Sequence, residues 1–222
     1  MASTTPFRNL TLGAFAEQLA SAQPVPGGGS AAAVAASLAG ALVAMVSALS
    51  EGRPKYAQHA ALHAEVGPEA RALADRFLAL ADEDAIAYAG YGAAMKLPRE
   101  TTAEQEARAA AIREAARAAS QAPFKTVEAC REVVALAESL AGRSNRNAAS
   151  DLEVSCLLAV AAARAAAANV YVNLPAIEDE ATARDLLSRT ESLVDEIDRL
   201  ADHTREIVRG GESRDPLPSS RP

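Results

Sequence analysis

A chain of 222 residues can form one large or two small domains with a sizeable core. Hydrophobic residues make up 50% of it, which speaks against disorder, and 4% aromatics without Trp speak against a β-sandwich or barrel. The net charge of −7 with no basic stripe argues against nucleic-acid binding. Cys130 and Cys156 are too few for a disulfide framework, and the sequence opens on no secretory pattern, so a cytoplasmic protein is expected.

Leu12, Phe15, Ala16 and Leu19 recur at helical spacing and predict a first helix over residues 11–22. Pro24-Val25-Pro26-Gly27-Gly28-Gly29-Ser30 stops it and leads into a second helix, residues 30–49, which is apolar on nearly every face. That run approaches membrane-spanning length. Its Ala, Ser and Gly content and its lack of cationic anchors predict a buried core helix instead, so no membrane partner is expected.

After Gly52 and Pro54 a third helical stretch covers residues 55–96, with an interruption expected at Gly67-Pro68. Leu97-Pro98 ends it. Thr101 with Glu104, or Thr102 with Gln105, offers a capping box for the next helix, which Pro123 is expected to kink or split before Ala141-Gly142. Ser150 with Glu153 offers a second capping box, opening an alanine-rich helix to Val172. A charged last helix spans residues 179–209, and the Gly-, Pro- and Ser-rich residues 210–222 are expected to be a disordered tail. With no credible period-2 segment, the chain reads as one all-α, up-and-down helical bundle over residues 1–209 with long alanine-rich central helices.

Two features carry candidate chemistry. The Gly27-Gly28-Gly29-Ser30 segment either presents backbone N–H groups to an anion or simply allows a tight turn into a crowded core. It has neither the Lys-Ser/Thr pair nor the preceding strand of a P-loop. Asp84 shares a helix face with Phe77, Leu80, Tyr88 and Tyr91, where desolvation would raise its pKa toward proton-transfer use; the alternative is a carboxylate that pairs with another helix. Asp82, two positions away, points elsewhere. Asp151 falls in the first turn of its helix, a position the dipole favours. His59 and His63 are spaced i, i+4, but with solvent-facing neighbours they read as a surface pair rather than metal ligands.

Together these pieces resemble the cyclodeaminase/cyclohydrolase family: the C-terminal domain of formiminotransferase-cyclodeaminase and the stand-alone methenyltetrahydrofolate cyclohydrolases. The resemblance runs in order from Pro24–Ser30 through Met45-Val46, Lys55-Tyr56, Leu80–Ala85, Met95–Pro98, Arg108, Asn145, Ser150–Leu152 and Asn169-Val170 to Asn173-Leu174. It implies an all-helical homodimer acting on a one-carbon tetrahydrofolate derivative, with or without a polyglutamate tail, and with no metal and no cofactor beyond that substrate. The reaction it implies first is formiminotetrahydrofolate cyclodeamination: N10 attacks the formimino carbon, ammonia leaves, and 5,10-methenyltetrahydrofolate forms. The alternatives are methenyltetrahydrofolate cyclohydrolysis and a non-catalytic folate-binding dimer. The family's catalytic acid falls on Asp82 or Asp84, and the face pattern favours Asp84. Lys55, Lys96 and Arg108 would pair with the glutamate tail, Asn145 and Asp151 would hydrogen-bond the pterin, and Tyr56 or Tyr88 would pack on its ring. Two positions depart from the family pattern: Pro54 interrupts the basic run before Tyr56, and Ser144 stands where a glycine usually precedes the asparagine.

Overall fold

Six α-helices joined by 3-10 turns account for the chain in a computed structural model that describes residues 5–217. The all-α expectation holds, with no strand among the described residues. Helix α1 (Leu12–Leu19) starts at Thr11, whose hydroxyl accepts from the Ala14 N–H at 3.1 Å. Helix α2 (Gly28–Ser50) starts two residues before the expected point, with Gly27 at its N-cap, so Gly28, Gly29 and Ser30 form its first turn.

Helix α2 runs antiparallel to both of its main neighbours, α3 (Ala60–Met95) and α5 (Ala149–Asn173). The register against α3 is fixed by Ser47, which donates to the His63 carbonyl at 2.8 Å, and by Ser30, which lies against Ala81 and Asp84. Against α5 it is fixed by Ser155, which donates to the Ala39 carbonyl at 2.9 Å. Small residues make this closeness possible: a Cβ on Gly40 would sit 3.1 Å from the Ala70 carbonyl oxygen. Helix α4 (Thr102–Leu140) closes the core, where Phe77, Leu140 and Leu152 are fully buried, and amphipathic α6 (Glu180–Gly210) covers it with Ile197. The segments Gly28–Ser50 and Arg146–Ile177 are long and apolar enough to cross a membrane by composition, and here both build the bundle.

Neither proline breaks its helix. Pro68 lies on the exposed face of α3, and exposed Ala64, whose carbonyl loses its usual donor, can be met by water. Pro123 is buried in α4, and the carbonyl it orphans, on Ala119, accepts from Asn173 Nδ2 at 3.3 Å. The Thr101–Glu104 capping box forms, with the Thr101 N–H donating to Glu104 at 2.9 Å. The Ser150–Glu153 box does not. Asn145 accepts from the Asn147 N–H at 3.1 Å, winds a 3-10 turn, and starts α5 at Ala149, so Ser150 is already inside the first turn.

The expected disorder of residues 210–222 does not describe their first part. Gly210 completes α6, Gly211 turns the chain in the left-handed region, and the Arg214 N–H donates to the Gly142 carbonyl at 2.9 Å. Arg143 Nε donates to the Asp215 carbonyl at 2.6 Å. Residues 218–222 lie outside the described residues.

Candidate active site at the two ends of the second helix

The antiparallel register of α2 and α3 sets Asp84 against the first turn of α2. Ser30 Oγ lies 3.0 Å from Asp84 Oδ2 and 3.1 Å from the Ala81 carbonyl, sharing its proton between them, and the Ser30 backbone N–H also points at the carboxylate. Burial pushes the Asp84 carboxyl above the ordinary carboxylate range, and the Ser30 hydroxyl and amide offset part of that rise. Gly29 is required here: a Cβ at that position would overlap Asp84 Oδ1 and come within 2.6 Å of Cγ. The glycine segment and Asp84, separate candidates in the sequence, are one structure.

Gly28 differs from Gly29. A Cβ there would meet Asn169 Nδ2 at an ordinary 3.8 Å. Asn169 is a residue the sequence reading did not place in the site, although it stands in the ordered resemblance as Asn169-Val170. Its amide nitrogen donates to the Ala165 carbonyl at 2.8 Å, which leaves its oxygen available beside the Asp84 corner. Tyr88 is exposed and Tyr91 half-buried farther along the same α3 face.

Asp82 does not join this corner. It accepts from the Phe7 N–H at 2.8 Å and ties the N-terminal 3-10 turn to α3. Lys96 ends α3, roughly 18 Å along the helix from Asp84 at the standard rise. Arg108 donates to the Met95 carbonyl at 3.1 Å and caps the same helix end.

The remaining expected residues gather at the other end of α2. Asn145 N–H donates to Ser50 Oγ at 2.7 Å, and its side-chain amide reaches the Leu49 carbonyl at 3.4 Å. Tyr56 OH accepts from the Arg146 N–H at 3.1 Å, and Lys55 Nζ lies 5.5 Å from the Tyr56 ring centroid. Asp151 is half-buried in the first turn of α5. A cleft of about 100 Å³ opens here, lined by Lys55, Tyr56, His59, Ser144 and Arg146, with Gly211, Glu212 and Ser213. His59 and His63, expected on the surface, are buried: the 3-10 turn Pro54–His59 rotates both rings under the loop that follows α4. His63 Nε2 is 3.0 Å from the Arg143 carbonyl, to which it can only donate.

From Ser30 to Ser50, α2 rises about 30 Å. One chain therefore brings together Gly29, Ser30 and Asp84, with Gly27 and Gly28 beside them, and holds Lys55, Tyr56, Asn145 and Asp151 a helix length away.

The family model described as Formiminotransferase-cyclodeaminase matches residues 11–192. The chain belongs to this family. A methenyltetrahydrofolate cyclohydrolase of Methylorubrum extorquens is 38% identical across 90% of this chain and 97% of its own. A formimidoyltransferase-cyclodeaminase of Gallus gallus is 35% identical across 76% of this chain and 31% of its own. The bundle superposes on a crystal structure of formiminotetrahydrofolate cyclodeaminase from Thermotoga maritima with a TM-score of 0.83 at 23% identity, covering 91% of this chain and 98% of that one. At that identity the superposition speaks to the family's fold.

Proposed function

We propose that this chain is a folate-dependent enzyme acting on the one-carbon bridge between N5 and N10 of tetrahydrofolate, and that it opens 5,10-methenyltetrahydrofolate by hydrolysis. The observation that carries the chemistry is Asp84, a desolvated carboxyl held by Ser30 against the first turn of α2. As water oxygen bonds to the bridging carbon, Asp84 takes a proton from it. It returns that proton to N5 as the carbon–N5 bond breaks, and the hydroxyl proton leaves to solvent as the formyl group forms on N10. The raised proton affinity of Asp84 suits a group that must both accept and donate a proton.

Support for hydrolysis is the 38% identity to a cyclohydrolase over 97% of that protein, against 35% over 31% of the avian cyclodeaminase. Cyclodeamination is the second reading, favoured by the matched family's description and by the same carbon being attacked, with N10 as nucleophile and ammonia as leaving group. Methenyl absorbance separates them: hydrolysis predicts its decay from methenyltetrahydrofolate, whereas cyclodeamination predicts its growth from the formimino compound. Asp84→Asn lowers either turnover by at least about 10²-fold on this account, and parent-level turnover in that variant overturns it.

The reading places the reaction on two copies of the chain. Helix α2 carries no charged residue, and Leu38, Met45 and Leu49 project from it exposed, beside exposed Val154, Leu157 and Val172 of α5. Exposed apolar side chains on two neighbouring helices fit a second copy better than solvent. A two-fold axis near the middle of α2 would set the Ser30 end of one copy beside the Ser50 end of the other. Lys55, Tyr56, Asn145 and Asp151 of one copy would then complete the Asp84 corner of its mate, with Lys96 available to the anionic tail of a polyglutamylated folate.

A further inference from the structure

The geometry points to the segment Gly211–Asp215 as a strap that forms one wall of the Lys55–Arg146 cleft and sets its affinity for the carboxylate-bearing end of the substrate. The inference rests on the function proposed above and adds to it a binding element that lies beyond the residues the family model matches, 11–192.

Two arginines hold the strap by crossing over. Arg143, buried in the loop after α4, reaches outward to the Asp215 carbonyl at 2.6 Å. Arg214, on the strap, reaches inward to the Glu138 carboxylate at 2.8 Å and to the Glu138 carbonyl at 3.1 Å. Two glycines shape the contact. Gly142, at φ 73°, leaves room for Arg214, since a Cβ there would come within 2.9 Å of Arg214 Cγ and of the Glu212 carbonyl oxygen. Gly211, at φ 66°, leaves room for the Arg146 guanidinium, which a Cβ would approach to 2.7 Å. The strap thus fixes where the Arg146 charge sits.

What it encloses is suited to an anion. Lys55 and Arg146 supply two cations, and Glu212 is the one carboxylate among the lining residues. His59 supplies an unused donor. The Gln58 amide nitrogen, 3.1 Å from His59 Nε2, can only donate, so the proton of the neutral ring sits on Nδ1. That Nδ1 is buried without a hydrogen-bond partner. A carboxylate entering beside Lys55 and Arg146 would pair with two charges, next to a histidine whose buried donor is unpaired.

The test compares three forms of the full enzyme with methenyltetrahydrofolate carrying one or three glutamates. A chain ending after Leu217 keeps the strap and should match the parent. A chain ending after Gly211, and the milder Arg214→Ala, should raise KM for the triglutamate by roughly tenfold or more, with kcat reduced less than about twofold. Their preference for three glutamates over one should shrink to near unity. Equilibrium dialysis with folic acid triglutamate gives the same comparison without turnover, and circular dichroism reports whether the bundle stays folded. Unchanged KM and binding in folded Arg214→Ala would overturn the strap while leaving the Asp84 chemistry standing. A parent enzyme that neither turns over nor binds either folate would overturn both.

Discussion

The two ends of α2 are built by opposite means from the same helix. At the Ser30 end a second helix packs on glycine, so closely that a half-buried carboxylate is held against the first turn. At the Ser50 end loops and 3-10 turns pack instead, and their amides, hydroxyls and cationic side chains frame an open cleft. Helix packing perturbs a proton affinity, whereas loop packing displays charge. The first suits bond making and breaking and the second suits holding an anionic ligand.

The largest expected effects sharpen this contrast at the Ser30 end. Gly29→Ala forces the Asp84 carboxylate away from Ser30, and turnover should fall by about 10²-fold or more, as in Asp84→Asn. Gly28→Ala, one residue earlier, meets only ordinary contact inside the chain. Thermal melting should show it unchanged or slightly more stable, by up to about 1 kcal/mol, because alanine is the better helix residue. If both alanines behave alike, the corner is not organised by Gly29.

For the buried hydroxyl of Ser50, at the other end, the effect should fall on stability. Ser50→Ala removes the acceptor of the buried Asn145 N–H, and urea unfolding should show a loss of about 1–3 kcal/mol. Turnover at saturating substrate should change less than in Gly29→Ala.

Smaller still, and opposite in sign, are the pH dependences. Asp84 has a folded pKa above the ordinary value of 3.8, so its ionisation opposes folding as pH rises through and beyond that value. Asp84→Asn should therefore be more stable than the parent at neutral pH, with the advantage fading below about pH 4. His59 has a folded pKa below 6.5 because burial, then His63 and Arg143, disfavour its cation. Its contribution is present above pH 6.5 and is lost as pH falls below it, so His59→Gln should flatten the acid side of the stability curve. Denaturant midpoints measured from pH 4 to 8 check both.

How much of this was legible in the sequence follows from how local each cause is. The Thr101–Glu104 cap is written within four residues and formed as read. The fates of Pro68 and Pro123 depended on solvent at Ala64 and on Asn173, 50 residues beyond Pro123, so local rules predicted an interruption at Pro68 and a kink or split at Pro123 where both helices run on. His59 and His63 were misplaced because a loop 80 residues later covers them. The unusual position of Asp84 was legible from its apolar helix face. Its partner Gly29 was not, because only the register of α2 on α3 joins them. The same holds for the strap, where composition suggested disorder and two arginines supply the docking.

The central claim is that one site draws on both ends of α2, taken from two copies of the chain. Complementation tests it most directly: Asp84→Asn and Lys55→Glu chains are purified singly, then co-expressed and assayed for methenyltetrahydrofolate turnover. Each alone should be strongly impaired. Random pairing should restore up to about a quarter of parental turnover, since about half the dimers are mixed and each mixed dimer holds one intact site. A mixture no more active than its two components would contradict the claim and return the whole reaction to the Asp84 end of a single chain.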